Sequence, residues 1–162
     1  MVENIDENFE MQDSNVGSLS TPSTAGALRI GGLVLIKDRP CKVVEMSTAK
    51  TGKHGHAKCT YTGIDIFTGK KLVDSVPSTH AVDIPNTYRS EYTFIGFTSD
   101  GFLTLMGADG TTREDIKINE EQEDDKKILE RINTMQEEGK SFTCTVLKCM
   151  NEEKITDLKE SN

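Results

Sequence analysis

The chain has 162 residues, a formal net charge of -8 and a hydrophobic share of 35%, which leaves room for one domain or two small ones. No apolar run approaches the roughly 18 residues of a membrane span, and the acidic N-terminus lacks the basic start and apolar stretch of a signal peptide. We therefore expect a cytoplasmic protein without membrane contact.

Charge is distributed unevenly along the chain. Between Lys37 and Lys71 there are eight Lys or Arg and three Asp or Glu, a local charge of +5, whereas residues 72–162 hold ten basic and nineteen acidic residues. A basic block between acidic segments indicates that one face meets a polyanion. The four cysteines form no CxxC pair, and we expect buried, reduced thiols.

The first 25 residues lack hydrophobic periodicity and are predicted to be a disordered acidic tail. After them, LVLIKDRPCKVVEMS predicts two strands around a turn, with Asp38 and Pro40 as turn residues. HAKCTYTGIDIFTG and KKLVDSV predict further strands. Residues 26–86 are thus predicted to form a small β-barrel, with STAKTGKHGH at the tip of a long hairpin.

Pro85 and Asn86 interrupt the strand pattern and mark a candidate domain boundary. Beyond it, EYTFIGFT, FLTLMG and TTREDIKI are separated by Asp100-Gly101 and Asp109-Gly110. Asp-Gly between alternating apolar residues is a strong hairpin signal, because glycine tolerates the positive φ of tight turns. The second half is therefore predicted to open as a meander of three strands.

A helix is predicted next, over KKILERINTMQEEGK. Ile128, Ile132 and Met135 recur at helical spacing, and Gly139 can end the helix. SFTCTVLKCM then alternates as a half-buried strand does. This order fits a five-stranded OB-fold over residues 87–160.

The glycine-rich segment KTGKHGHAK, Lys50 to Lys58, invites three enzymatic or metal-binding interpretations. A phosphate-binding P-loop fails, because Ser47 stands where its first Gly belongs and His54 where its Ser or Thr belongs. A Schiff-base Lys53 would need an apolar wall to desolvate it, and the segment offers none. A zinc site would draw its ligands from His54, His56, Cys41, Cys59 and His80, but their spacing departs from that of paired zinc ligands.

A charged probe for nucleic acid is the fourth interpretation of this segment. Lys50, Lys53 and Lys58 would release counterions on binding phosphates, and the glycines let the backbone approach a polyanion closely. An ordinary solvated hairpin tip accounts for the same residues. Composition and spacing leave these two alternatives open.

STAKTGKHGHAK, Ser47 to Lys58, resembles the hypusination loop of the eukaryotic translation initiation factor 5A family, whose members also act in elongation. The resemblance continues through GIDIFTGKK, PSTH and TTREDIKI, and so covers nearly the whole chain after the tail. The sequence departs from the family pattern at Ala49, over Cys59 to Thr62, and over Asn119 to Gly139, where NEEQEDD replaces the usual Pro-Glu-Gly opening.

The resemblance implies that Lys53 is converted to hypusine. Deoxyhypusine synthase would transfer an aminobutyl group from spermidine using NAD, and deoxyhypusine hydroxylase would add a hydroxyl group. The matching neighbours implied to contact RNA, the ribosome or these enzymes are Lys50, Thr51, Gly52, His54, Gly55, His56 and Lys58. No bound cofactor, metal or catalytic residue is implied.

The resemblance also implies an all-β fold with a short helix, in which an SH3-like barrel precedes an OB-fold barrel. The implied protein is not an enzyme. It binds the ribosome at the exit site, reaches towards the peptidyl-site transfer RNA, and promotes peptide-bond formation at stalled sites such as polyproline, aiding elongation and termination. The alternatives are a generic single-stranded RNA-binding protein and a metal-dependent or lysine-dependent enzyme.

Overall fold

The computed structural model describes residues 18–50 and 57–161. The chain divides into two compact units between Asn86 and Thr87. Each unit is built on antiparallel strands and encloses its own hydrophobic core. Within the described residues, no helix is long and apolar enough to span a membrane.

The N-terminal unit contains six strands and a short 3-10 helix. The strands are β1 (Ser20–Thr24), β2 (Leu33–Ile36), β3 (Arg39–Lys50), β4 (Ala57–Asp65), β5 (Lys71–Pro77) and β6 (Ala81–Pro85), and the 3-10 helix is Ala25–Ala27. Strands β2, β3, β4 and β5 form one sheet in chain order, and β1 pairs with β6 in a second. The sheets enclose a core that includes Val34, Ile36, Val43, Cys59 and Tyr61, as expected of an SH3-like barrel.

Strand β1 corrects the predicted extent of the N-terminal tail. Residues 20–24, which composition placed in a disordered segment, pair in register with β6 from Ser20↔Pro85 to Thr24↔Ala81. The backbone hydrogen bonds of β1 depend on a partner about sixty positions away in the chain, so local composition carries no sign of them. Residues 1–17 lie outside the described part of the chain.

The turn between β2 and β3 is formed by Lys37 and Asp38, whose φ angles are 52° and 66°. Two successive positive φ values are typical of the tight type I′ hairpin turn. Asp38 is thus a turn residue as predicted. Pro40, also predicted in the turn, instead lies within β3 opposite Leu35.

The C-terminal unit is a five-stranded sheet with one α-helix. Its elements are β7 (Thr87–Phe97), β8 (Leu103–Met106), β9 (Thr112–Ile116), α1 (Glu123–Glu137), β10 (Phe142–Cys149) and β11 (Glu152–Glu160). The strand order is β11-β10-β7-β8-β9, the predicted OB-fold. The two predicted Asp-Gly turns are confirmed, since Gly101 and Gly110 have φ of 90° and 86°.

The predicted helix is confirmed, and it buries Ile128 and Ile132 against the barrel while Met135 packs beside them. It begins within the acidic run, and carboxylates in a first turn interact favourably with the helix dipole. Gly139 follows the helix with φ of 70° and ends it as predicted. All four cysteines are buried and unpaired by disulfides, which confirms the reduced thiols.

Candidate functional site at the β3–β4 hairpin

Strands β3 and β4 form the predicted long hairpin, paired from Cys41↔Asp65 at its base to Lys50↔Ala57 at its far end. The predicted site residues Thr51, Gly52, Lys53, His54, Gly55 and His56 lie between these ends, outside the described residues. Lys50 and Lys58 are described, and both are exposed. Because Lys50 is opposite Ala57 and Lys58 is opposite Ala49, the two lysines lie on opposite faces of the hairpin.

Strand β4, which follows the hairpin tip, is connected to the rest of the N-terminal unit by backbone hydrogen bonds at its first residue, Ala57. The Ser78 N–H donates to the Ala57 carbonyl over 2.8 Å, and the Gly26 N–H donates to the Ser78 carbonyl over 2.8 Å. The Ala25 N–H donates to the carbonyl of His80 over 3.0 Å. The PSTH segment therefore links the first residue after the tip to the 3-10 helix.

The base of the hairpin requires a glycine at position 63. A Cβ there would lie 2.6 Å from the Cβ of Cys41 and 2.9 Å from Cδ1 of Ile36, which is closer than such atoms approach in proteins. Opposite Gly63 the register shifts between Val43 and Glu45, so that Val44 forms a bulge. A bulge bends its strand and increases the local twist, and so affects the direction in which the hairpin projects.

Asp65 stabilises the other end of β4. Its carboxylate, buried with 2% exposure, accepts hydrogen bonds from Nε of Arg39 at 2.6 Å and from the backbone N–H groups of Phe67 and Thr68 at 2.9 and 3.2 Å. Burial acts to raise the pKa of Asp65, but these donors outweigh it and hold the pKa below its ordinary value. The charged carboxylate thus ties the β4–β5 turn to the start of β3.

The candidate metal ligands named from the sequence are not gathered into a cluster in the described part of the chain. No group of three or more His, Cys, Asp or Glu that could hold a metal occurs among the described residues. Of the candidate zinc ligands, Cys41 and Cys59 are buried in the core, and burial raises the pKa of Cys41 to about 11, so its thiol stays protonated at neutral pH. His80 is exposed, and His54 and His56 lie outside the described residues.

A second polar cluster, in the C-terminal unit, was not predicted from the sequence. Arg113 donates to both carboxylate oxygens of Asp115 at 2.7 Å, to Glu153 at 2.6 and 3.1 Å, and to the Tyr92 hydroxyl at 3.2 Å. The hydrogen bonds that Arg113 donates to Asp115 and Glu153 raise the pKa of Arg113. Because β9 and β11 are the two edges of the five-stranded sheet, the bond to Glu153 spans the place where the barrel closes.

The Arg113 cluster has only a partial signal in the sequence. Arg113 and Asp115 alternate on one strand and so share a face, which could have indicated their pairing. Glu153 lies forty positions further on, and no spacing rule connects it to Arg113.

A small barrel that carries a long β-hairpin, followed by an OB-fold, defines a two-domain β-barrel protein. Residues 18–80 match the family model "Translation initiation factor 5A-like, N-terminal". Residues 86–159 match "Eukaryotic elongation factor 5A hypusine, DNA-binding OB fold".

Similar proteins and a similar solved structure agree with these matches. The chain is 44% identical over 156 residues to eukaryotic translation initiation factor 5A-1 of Arabidopsis thaliana, covering 96% of each chain. It is also 44% identical over 160 residues to eukaryotic translation initiation factor 5A of Zea mays, covering 99% of this chain and 98% of the relative. A solved translation initiation factor 5A family protein from Naegleria fowleri matches with a TM-score of 0.75 and 46% identity, over 88% of this chain and 99% of that one.

The chain belongs to the eukaryotic translation initiation factor 5A family. It is a homologue of hypusine-containing translation factors, which are not enzymes. The fold is also found in a more distantly similar solved structure, eukaryotic translation initiation factor 5A from Methanococcus jannaschii. It matches with a TM-score of 0.67 at 24% identity, over 86% of this chain and 94% of that one.

Proposed function

We propose that the protein is a cytoplasmic translation factor whose Lys53 is converted to hypusine. Deoxyhypusine synthase would transfer an aminobutyl group from spermidine to the Lys53 amine, and deoxyhypusine hydroxylase would hydroxylate the product. The modified protein would bind the ribosome at the exit site and promote peptide-bond formation at stalled sites such as polyproline, aiding elongation and termination. No bound cofactor takes part.

The β3–β4 hairpin is the observation that carries this proposal. Two long paired strands flank the segment 51–56, from Lys50 to Ala57. Backbone hydrogen bonds through Ser78 connect Ala57 at the start of β4 to the 3-10 helix. Strand β5 pairs with β4 as far as Lys58↔Pro77 and so supports the hairpin almost to its described end. In this proposal the hairpin presents Lys53 both to a modifying enzyme and to a crowded RNA cavity.

The proposed action is orientation of the reactants, which the ribosome then joins. Positioning two reactants can remove a large entropic part of a reaction barrier, and a long thin cation reaches phosphates where a folded domain would not fit. In this proposal Lys50, Lys58 and the matching residues of the tip, Thr51, Gly52, His54, Gly55 and His56, contact RNA or the modifying enzymes. The barrel that carries the tip consists of strands β1 to β6, and strands β7 to β11 with helix α1 form the OB-fold domain.

Intact mass of the protein from its native source tests the modification. We expect an increment of one aminobutyl group plus one oxygen, and fragmentation should assign it to Lys53. The matched control is Lys53→Arg, which keeps one positive charge and cannot accept the aminobutyl group. An unmodified Lys53 in actively translating cells would contradict the proposal.

Translation assays separate this function from a generic single-stranded RNA-binding protein. Lys53→Arg should abolish the stimulation of translation through proline runs. Its general RNA affinity should stay close to that of the unmodified protein, because arginine keeps the single positive charge of the unmodified lysine. If the arginine variant still relieved stalling, the RNA-binding alternative would be preferred. Zinc content of the reconstituted protein tests the metal-dependent alternative at His54 and His56.

A further inference from the structure

The four-stranded sheet of the N-terminal unit has one face away from the core, here called the outer face. Side chains in directly paired positions share a face of a sheet, and Val43, Cys59 and Tyr61 are buried on the core face. The rows between them lie on the outer face. The row farthest from the hairpin tip contains Leu33, Lys42, Ile64 and Lys71, and the next contains Glu45, Thr62 and Val73.

Three apolar side chains of these rows, Leu33, Ile64 and Val73, are here called the apolar patch. Val73 is 50% exposed, and Leu33 and Ile64 are half-buried. Among the described residues, the core cluster of this unit and the apolar side chains packed against it include none of the three. The patch extends across the sheet from β2 to β5, which is about 14 Å. An apolar patch bordered by polar residues is typical of a contact site.

Positive charge borders the apolar patch. Lys42 lies between Leu33 and Ile64 in its row, and Lys71 lies on the other side of Ile64. Both lysines are exposed, and neither forms a salt bridge to a described residue. Glu45 is the one acidic residue of the two rows. The outer face therefore favours a partner that brings carboxylates and apolar side chains together.

The residues that precede β1 contain both kinds of group. Residues 1–17 include five acidic and no basic side chains. Within Ile5 to Asp13, IDENFEMQD, three apolar residues are interspersed with four carboxylates. A segment of this composition cannot build a core of its own, but it can gain order on a partner surface. Its charge and its apolar side chains complement those of the outer face.

The chain between Ile5 and β1 is long enough to reach the apolar patch. β1 pairs with β6, and β6 contacts β2, the edge strand that carries Leu33. The thirteen steps from Ile5 to Ser18 span up to about 43 Å, whereas a unit of this size has a diameter of about 28 Å. Covalent attachment gives such a segment an effective concentration of about 1 mM, at which a contact with a dissociation constant of about 1 mM is half occupied.

We propose that the segment Ile5 to Asp13 of this chain binds the apolar patch of its own N-terminal unit. Its carboxylates pair with Lys42 and Lys71, and its apolar side chains cover the patch. The contact does not involve Lys53 and goes beyond the proposed function. Any other anionic partner of the two lysines has to displace the segment first.

Nuclear magnetic resonance of the full-length, isotope-labelled protein tests this proposal. The variant is Asp6→Asn/Glu7→Gln/Glu10→Gln, which keeps the length of the chain and its apolar side chains. Losing three carboxylates should release the segment, so the backbone amide signals of Ile64 and Val73 should shift relative to the wild type. High salt should move the same wild-type signals towards those of the variant, because salt screens exposed charge pairs.

Glu120→Gln/Glu121→Gln/Glu130→Gln is the matched control. These three carboxylates are exposed in the C-terminal unit, and removing them changes the net charge by the same amount. We expect the control to leave the signals of Ile64 and Val73 at their wild-type positions. Equal shifts in the control, or unchanged signals in the variant of the segment, would overturn the proposal.

Carbodiimide cross-linking, which joins a carboxylate to a lysine amine in contact with it, identifies the occupant of the patch. Light and heavy copies of the protein are mixed first, so that mass spectrometry separates links within one chain from links between two. We expect links from the segment to Lys42 or Lys71 within one chain. Links found only between copies would assign the patch to a second chain, and equal links to the exposed Lys126 and Lys127 would show no preference for the patch. Either result would refute the proposal.

Val73→Ser tests the apolar part of the contact by the same cross-linking. Partial burial of one valine changes a dissociation constant by about threefold, so the yield of links to Lys42 and Lys71 should fall by about twofold. The matched control is Ile95→Ser, since Ile95 is 53% exposed in the C-terminal unit, and its yield should equal that of the wild type. Equal yields from the two variants would contradict the apolar contact that the proposal requires.

Discussion

Gly63→Ala is predicted to destabilise the N-terminal unit by overpacking the base of the hairpin. The added Cβ would lie 2.6 Å from the Cys41 Cβ and 2.9 Å from Ile36 Cδ1, and the first of these atoms is fixed to the backbone of β3. Overpacking costs about 1–3 kcal/mol, while replacing glycine in a strand returns about 0.4–1 kcal/mol through the unfolded state. The expected net loss is about 1–2 kcal/mol.

For a unit of this size, a loss of 1 kcal/mol lowers the melting temperature by about 4–8 °C. We therefore expect the melting temperature of the N-terminal unit to fall by roughly 5–15 °C. Thermal unfolding followed by circular dichroism gives the shift. Hydrogen exchange read by mass spectrometry assigns it, because peptides from β3 and β4 should lose protection while those from the C-terminal unit do not.

Gly96→Ala is the matched control for this prediction. Gly96 also lies in a strand beside a bulge, but a Cβ there meets nothing within 4 Å. The same substitution should therefore leave stability unchanged or slightly raised. If Gly63→Ala were as stable as Gly96→Ala, close contact between β3 and β4 would not be the reason for a glycine at position 63.

Three further predictions concern the other polar and thiol groups. Asp65→Asn should lower the free energy of unfolding by about 1–3 kcal/mol at neutral pH. The pKa of Asp65 is depressed in the folded state, so acid protonates and neutralises the wild-type carboxylate. The difference between wild type and variant in urea unfolding should therefore disappear as the pH falls below about 4. Glu153→Gln should loosen the closure of the OB-fold by weakening the bond to Arg113, costing about 1–2 kcal/mol, and an unchanged urea midpoint would contradict that role. Burial raises the pKa of Cys144 to about 12, so its thiol should react with a disulfide reagent at pH 8 only after unfolding, and rapid native labelling would refute its burial.

The sequence predicted those elements whose signals are local. Asp100-Gly101 and Asp109-Gly110 specify their turns because glycine accepts the positive φ observed there. The spacing of Ile128 and Ile132 likewise identified the buried side of α1. In each case a few neighbouring residues determine the structure, whatever the rest of the chain does.

Elements that depend on distant partners could not be predicted in this way. β1 is polar and short, and forms because β6 provides its hydrogen-bonding partner. β11 alternates weakly between charged and apolar residues and was not identified, although its turn at Met150 and Asn151 has positive φ at both residues. At the candidate site, the family resemblance identified which lysines to consider. The hydrogen bonds from Ala57 through Ser78 to Gly26 join backbone groups, which every residue has, so the sequence could not predict them.

Positive and negative charge are concentrated in different parts of the chain. The described residues of the basic block from Lys37 to Lys71 lie in or beside the sheet that carries the hairpin, whereas residues 72–162 hold ten basic and nineteen acidic residues. A polyanion attracted to such a protein is drawn to one sheet and repelled by much of the remaining surface. In the proposed function, the RNA of the ribosome offers phosphates in every direction, and this asymmetry would orient the basic sheet towards RNA before any specific contact forms. Under the same proposal, a protein with evenly mixed charge would bind as strongly in orientations that leave Lys53 far from the reacting substrates.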